Sequence, residues 1–350
     1  MKRIAFFDTK PYDRRSFEEA GRKYKFEISF FEDRLNKETV GITKGYDVVC
    51  IFVNDIVDDH MVETLKKNGV KLIALRCAGY NNVDLKSVYG AIPVVRVPAY
   101  SPCAVAEHAA ALMLCLNRKV HKAYYRVREG NFSINGLLGF NLFGKTAGVV
   151  GTGQIGRCFI SILKGFGMKV LAYDPKPDKE YAKNAGIKYA GLEELYKSAD
   201  VISLHCPLNK DTHHIVDKAA IKIMKKGVTL LNTGRGALVD SKALIEGLKL
   251  GKIAAAGLDV YEEESEYFFE DFSSRVITDD VLARLLTFPN VIVTSHQGFF
   301  TKEALSNIAV TTFENIKEFF AGGYLKNEIC YRCGKTCNKA KKKRCFEIKS

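Results

Sequence analysis

The chain has 350 residues, 47% of them apolar, with 53 Lys and Arg against 40 Asp and Glu. That length accommodates two ordinary domains, each with its own core, and the composition is that of a globular protein. The formal net charge of +13 is unevenly placed, because Lys326 to Ser350 holds nine basic and two acidic residues and so carries +7 of it. A solvated basic tail accounts for the excess, and nucleic acid is not expected as a partner.

The N-terminal stretch MKRIAFFDTKPYD lacks the apolar region of a signal peptide, since Asp8 and Lys10 follow at once. Strands are expected at Arg3 to Phe7, Glu27 to Phe31, Asp47 to Val53, Lys71 to Cys77 and Pro93 to Val97, with helices such as Ser16 to Tyr24 and Asp59 to Asn68 between them. The apolar helix that follows, Pro102 to Leu116, is interrupted by Glu107 and His108 and is shorter than the roughly 20 residues of a membrane span. No membrane association is expected, and the location is read as cytoplasmic. The part of this helix from Ala104 to Leu116 reads as a core helix or as a subunit interface, and a homodimer or higher homo-oligomer built on it is expected.

A second series of strands is expected at Thr146 to Val150, Lys169 to Tyr173, Val201 to His205, Thr229 to Asn232, Ala254 to Leu258 and Val291 to Thr294. An amphipathic helix, Thr301 to Phe320, closes the body of the chain. Strands alternating with helices predict an α/β protein of two doubly wound parallel-sheet domains, Rossmann-like and flavodoxin-like, with a cleft between them. The expected division is 1–100 with 299–328 as a substrate-binding domain, 101–298 as a dinucleotide-binding domain, and 329–350 as a cysteine-rich tail.

AGVVGTGQIG, Ala147 to Gly156, opens the second series and joins a buried strand to a glycine-rich turn and a helix start. Gly151 permits the tight turn, Gly153 lets the backbone approach a pyrophosphate, and Gly156 lets the helix pack on the strand. The next strand delivers Asp174, 23 positions past Gly151. A carboxylate there hydrogen-bonds a ribose 2′-hydroxyl and repels a 2′-phosphate, which predicts NAD rather than NADP; Lys176 softens that repulsion.

Three ionisable residues stand after strands of this domain: Arg235 in LLNTGRGALVD, Glu264 after AAAGLDVYEE, and His296 in VIVTSHQG. Together they suit reduction of a 2-keto acid. Arg235 can grip a carboxylate through two parallel hydrogen bonds, protonated His296 can give its proton to the carbonyl oxygen, and Glu264 can orient the imidazole and raise its proton affinity. Taken singly, each has a plainer reading: a turn residue, a capping histidine, a solvated acidic loop.

The same motifs, with RCAGYNNVDL (Arg76 to Leu85), VVRVPAYSPCAVAEHAAALML (Val94 to Leu114), SLHCPL (Ser203 to Leu208) and YFFEDFSS (Tyr267 to Ser274), resemble the fermentative D-lactate dehydrogenases of the D-isomer-specific 2-hydroxyacid dehydrogenase family over Met1 to about Glu328. The resemblance implies pyruvate and D-lactate as substrate pair and the roles just given for Arg235, Glu264 and His296. It also implies that Tyr100 and the backbone of Ala78 and Gly79 meet the substrate carboxylate, with Phe299 narrowing the pocket. For the cofactor it implies Gln154 and Ile155 at the pyrophosphate, Cys206, Pro207 and Thr212 beside the adenosine, Thr233, Gly234 and Arg235 on the nicotinamide side, and Asp259 at the carboxamide. Gly234 stands where serine is frequent. A relative acting on longer 2-keto acids, or an NAD-sensing corepressor-like binding protein, is the alternative.

Six cysteines, Cys50, Cys77, Cys103, Cys115, Cys158 and Cys206, lie in apolar or small-residue segments and read as reduced core thiols. Cys330, Cys333, Cys337 and Cys345 crowd into the tail, where their spacing lacks the second close pair of a zinc knuckle. No metal is expected, and the resemblance does not reach this extension.

Overall fold

The computed structural model describes residues 1–264 and 267–332, and its chain divides into two compact units, Met1–Ser101 with the residues from Phe300 onward, and Pro102–Phe299. Each cut falls one residue beyond the expected boundary.

In the first unit, β1 (Lys2–Phe6), β2 (Phe26–Phe30), β3 (Val48–Ile51), β4 (Leu72–Leu75) and β5 (Val94–Arg96) are all parallel. β3, β4 and the Ile4–Phe6 part of β1 are short apolar runs covered on both faces, as parallel strands flanked by crossover helices must be.

The second unit contains β6 (Thr146–Val150), β7 (Lys169–Tyr173), β8 (Lys188–Tyr189), β9 (Val201–Leu204), β10 (Val228–Asn232), β11 (Ile253–Leu258) and β12 (Val291–Val293). Their order, β12-β11-β10-β9-β6-β7-β8, reverses direction between β6 and β9. A sheet of this kind binds ligands beyond the carboxyl ends of the strands at that reversal. Alternate side chains of each strand feed two cores. Ala147, Val149, Val201 and Leu231 join the helices Pro102–Arg118 and Gln154–Gly165 on one face, while Val150, Ile202, Leu204 and Leu230 join the helices Leu192–Ser198, Lys218–Ile223, Ser241–Lys249 and Asp280–Thr287 on the other.

The helix Lys302–Phe320 then returns to the first unit, where Phe313 stacks on Tyr24 at 4.9 Å and meets the edge of Phe17 at 5.4 Å. A last strand, β13 (Glu328–Ile329), pairs antiparallel with β5. The first sheet is therefore ordered β13-β5-β4-β3-β1-β2, a flavodoxin-like core with one antiparallel edge that the all-parallel expectation lacks.

The helix Pro102–Arg118 buries Ala106, Ala109, Met113 and Leu116 in its own unit, as the core-helix reading expects. One expectation is corrected. Cys103 is exposed and Cys115, Cys158 and Cys206 are half-buried, because the helix faces and loop that carry them leave one side to solvent, so only Cys50 and Cys77 of the six are buried. Of the tail cysteines Cys330 is buried, while Cys333, Cys337 and Cys345 lie outside the described residues. Among the described residues no helix is long and apolar enough to cross a membrane.

Candidate active site

The glycine-rich turn occupies the reversal point of the second sheet. Gly151 has φ +96°, and a Cβ on it would lie 2.7 Å from the backbone of His205 and Cys206, which follow β9. A Cβ on Gly156 would lie 2.0 Å from the Gly151 carbonyl oxygen. These two glycines let the turn and helix close on each other, whereas a Cβ on Gly153 would meet open space at the start of the helix Gln154–Gly165. Gln154 is exposed and Ile155 half-buried at that helix start. Its N–H groups and dipole favour an anion.

Asp174 follows β7. Its Oδ2 accepts from the Thr152 N–H (2.9 Å) and hydroxyl (3.0 Å), and its Oδ1 from the Lys176 N–H (2.9 Å). Burial opposes ionisation here, yet the hydrogen bonds from Thr152 and Lys176 outweigh it and hold the carboxyl below its ordinary range. The carboxylate is thus charged and fixed, with acceptor capacity left on Oδ1. Thr152, to which the sequence analysis assigns no role, sets its orientation.

After β9, Cys206 is half-buried and burial pushes its thiol up to about 11, which leaves a neutral wall beside exposed Pro207. The Thr212 hydroxyl is committed to the Pro207 carbonyl at 2.6 Å and holds this loop closed. After β10, the Thr233 hydroxyl is buried with no hydrogen-bond partner among the described residues. An unpaired buried hydroxyl is costly, and a ligand group on this loop would satisfy it. The Gly234 N–H donates to Asn232 Oδ1, and a Cβ at 234 would come no nearer than 3.4 Å to a neighbour, so serine would fit. A dinucleotide suits this set: an open helix start, a fixed carboxylate, a neutral wall and an orphaned hydroxyl.

Arg235 follows directly, and among the described residues only one of its guanidinium N–H groups is engaged, by the Gly234 carbonyl at 2.7 Å. The next residue joins two strand-end loops, because a Cβ on Gly236 would lie 2.1 Å from the carbonyl carbon of Tyr261. That contact presses the loop carrying Arg235 against the loop carrying Glu264. Nothing in the sequence distinguished Gly236 from its neighbours.

Glu264 and His296 meet, with Nδ1 of the imidazole 2.8 Å from Oε1 of the carboxylate. The other carboxylate oxygen accepts from the Tyr261 N–H at 3.1 Å. Nε2 of His296 has no hydrogen bond among the described residues, and the ring of Phe269 lies 5.9 Å away, centroid to centroid. Asp259, directly after β11, is 1% exposed and holds the loop that carries His296. Its Oδ1 accepts from the Thr294 hydroxyl (2.5 Å) and the Gln297 N–H (2.9 Å), with His108 Nε2 at 3.2 Å; its Oδ2 accepts from the Gly298 N–H (2.7 Å). Burial works to raise its proton affinity, but the hydrogen bonds from His108, Thr294 and Gly298 prevail and lower it.

Phe299 is buried within this unit. Tyr100, Ala78 and Gly79 belong to the first unit. There the Tyr100 carbonyl accepts from Asn307, and the Ala78 and Gly79 carbonyls accept from Arg96 and the Cys77 thiol. The N–H groups of Ala78 and Gly79 make no hydrogen bond among the described residues.

Residues 110–298 match the family model described as D-isomer specific 2-hydroxyacid dehydrogenase, NAD binding domain. The chain is 53% identical to 2-hydroxyacid dehydrogenase homolog 1 of Schizosaccharomyces pombe, over 91% of this chain and 96% of the relative. It is 49% identical to D-lactate dehydrogenase of Escherichia coli, over 93% of this chain and 99% of the relative. Among solved structures it is similar to one reported as the pyruvate reductase of Chlamydomonas reinhardtii, with a TM-score of 0.89 and 44% identity over 93% and 98% of the two chains.

Proposed function

The chain belongs to the D-isomer-specific 2-hydroxyacid dehydrogenase family, and from that premise we propose that it is an NAD-dependent D-lactate dehydrogenase interconverting pyruvate and D-lactate. The observation that carries the reading is the Glu264–His296 pair, 2.8 Å apart, on strand-end loops next to the one that presents Arg235.

In the reductive direction Arg235 binds the pyruvate carboxylate through its unengaged N–H groups and polarises the adjacent carbonyl. Bound NADH supplies the hydride. His296, protonated, gives the proton on Nε2 to the carbonyl oxygen, while Nδ1–H stays on Glu264 and the carboxylate stabilises the imidazolium beforehand. Oxidation of D-lactate uses the same groups in reverse, with neutral His296 taking the hydroxyl proton. Gly151, Gly153, Gln154, Ile155 and Gly156 would hold the pyrophosphate, Asp174 the ribose, and Thr233 with Gly234 the nicotinamide side. Tyr100 and the Ala78 and Gly79 N–H groups join the proposal as carboxylate partners from the sequence pattern, supported within their own unit by those unspent donors.

We further propose a homodimer and a cytoplasmic location. The segment after the core helix supports the dimer, since the helix Val120–Arg128 buries no residue and Phe132, Ile134, Leu138 and Phe143 are each at least 75% exposed. So much clustered apolar surface is what a second copy would cover.

The test is NADH oxidation with pyruvate, chiral analysis of the lactate formed, and comparison of kcat/KM with 2-ketoisocaproate. D-lactate formed with pyruvate preferred is expected. Absent turnover, or preference for the longer acid, overturns the assignment.

A further inference from the structure

Among the described cysteines one pair converges. The Sγ atoms of Cys103 and Cys158 lie 3.3 Å apart, both within the second unit. Cys103 is the second residue of the helix Pro102–Arg118 and is exposed, whereas Cys158 is half-buried in the helix Gln154–Gly165. The other described thiols are differently placed: Cys50, Cys77 and Cys330 are buried, Cys115 faces His121 Nδ1 at 3.4 Å, and Cys206 belongs to the wall described above.

From this geometry we propose that Cys103 and Cys158 form a reversible disulfide in response to a peroxide, and that the bond slows turnover. A disulfide has its sulfurs about 2.05 Å apart, so closing the gap needs side-chain rotation and a small adjustment between helices that already pack together. The order of events follows from exposure and proton affinity. Burial, then the contact with Cys103, pushes the Cys158 thiol up to about 11, so it stays protonated and shielded. Cys103 is therefore the sulfur that attacks the peroxide, taking one oxygen to become a sulfenic acid as the other leaves in water. The Cys158 sulfur then displaces the hydroxyl from the Cys103 sulfur, its own proton completing the second water. Two thiols and one peroxide give one disulfide and two waters, a two-electron oxidation.

The consequence follows from where the two residues sit. Cys158 is two residues past Gly156, the last of those proposed to hold the pyrophosphate, and Cys103 is two residues past Ser101, where the chain leaves the first unit. A covalent tie between them joins the crossing segment to the coenzyme helix. Product release limits kcat in many enzymes, and such a tie stiffens the start of the helix that would hold the coenzyme.

The experiment uses the full-length protein, reduced and then treated with hydrogen peroxide, with non-reducing peptide mass mapping beside turnover of NADH and pyruvate. Expected is a linked Cys103–Cys158 peptide, removed by dithiothreitol, with a fall in kcat of about three-fold or more that dithiothreitol reverses. Cys103→Ser and Cys158→Ser should each keep the reduced protein's kcat and lose the peroxide response. Cys103 carried on to a sulfinic acid without a cross-link, or linked instead to Cys333, Cys337 or Cys345, overturns the pairing. A cross-link that forms while kcat stays unchanged overturns its effect on turnover. The mass measurement stands apart from the substrate assignment, so failure of the pyruvate reading and failure of the disulfide are told apart.

Discussion

His296 is held from two sides: Nδ1 lies 2.8 Å from Glu264 Oε1, and its N–H donates to the Asp259 carbonyl at 2.8 Å. Its φ of +55° is in the left-handed region, which costs a non-glycine residue about 1–2 kcal/mol. The surrounding bonds over-determine the backbone and keep it there. Residues held in this way cluster at functional sites, and here the strain aims an imidazole whose second nitrogen is unengaged.

His296→Gln should keep the fold and NADH binding and lose pyruvate reduction by about 10²–10⁴-fold, because no group of matched proton affinity replaces the imidazole. Glu264→Gln removes the carboxylate charge that faces Nδ1 at 2.8 Å and steadies the imidazole for proton transfer, so kcat for pyruvate reduction should fall by about ten-fold or more while NADH binding persists. Near-normal turnover in either variant removes the pair from the chemistry.

Arg235→Lys tests the planar fork. An ammonium cannot make two parallel hydrogen bonds to a carboxylate, so KM for pyruvate should rise and kcat should fall. Steady-state kinetics with NADH saturating separates the two. An unchanged KM excludes Arg235 as the carboxylate anchor.

Much of this was legible in the sequence because the strands are short apolar runs and the glycines of the fingerprint have individual steric duties. Gly151, Gly156, Asp174, Glu264 and His296 could be read from pattern and spacing. What could not be read comes from contacts distant in the chain. β8 and β13, two residues each, exist because a neighbouring strand offers an open edge, not because Lys188–Tyr189 or Glu328–Ile329 favour strand locally. Gly236 matters because Tyr261 lies against it, and Thr152 because Asp174 does. The helix Pro102–Arg118 carries the stronger apolar stripe and turns it to the core, whereas the exposure of Phe132, Ile134, Leu138 and Phe143 after it is marked by no periodicity.

Asp174→Ala should narrow the preference for NADH over NADPH from both directions, by losing the ribose hydrogen bond and by removing a charge that repels a 2′-phosphate. The same change frees the Thr152 N–H and leaves its hydroxyl with the Tyr189 hydroxyl alone, at 2.9 Å, so part of the loss in NADH affinity reflects a loosened turn. Thr152→Val separates the contributions, since it removes one bond to Asp174 and keeps the charge. If the ratio of kcat/KM for the two cofactors stays constant in the Ala variant, Asp174 does not face the ribose.

Asp259→Asn concerns stability and the placement of His296 together. The carboxylate accepts from Thr294, Gln297 and Gly298 at once, and an amide can present only one acceptor oxygen. At least one buried N–H is left unsatisfied, at a cost of about 1–3 kcal/mol. The sign of the pH dependence follows from the lowered proton affinity of this carboxyl. A group depressed on folding contributes fully above the ordinary Asp value of about 3.9, and its contribution is lost as pH falls through the depressed value. The Tm of the wild type should therefore exceed that of the variant at pH 7, and the gap should shrink as the solution is acidified below about pH 4. Loosening residues 294–298 also frees His296 from its left-handed backbone, so kcat should fall at pH 7 even where the variant is fully folded. Equal Tm values at pH 7 would show that Asp259 does not hold this loop, and an unchanged kcat in a destabilised variant would show that Glu264 alone suffices to place the imidazole.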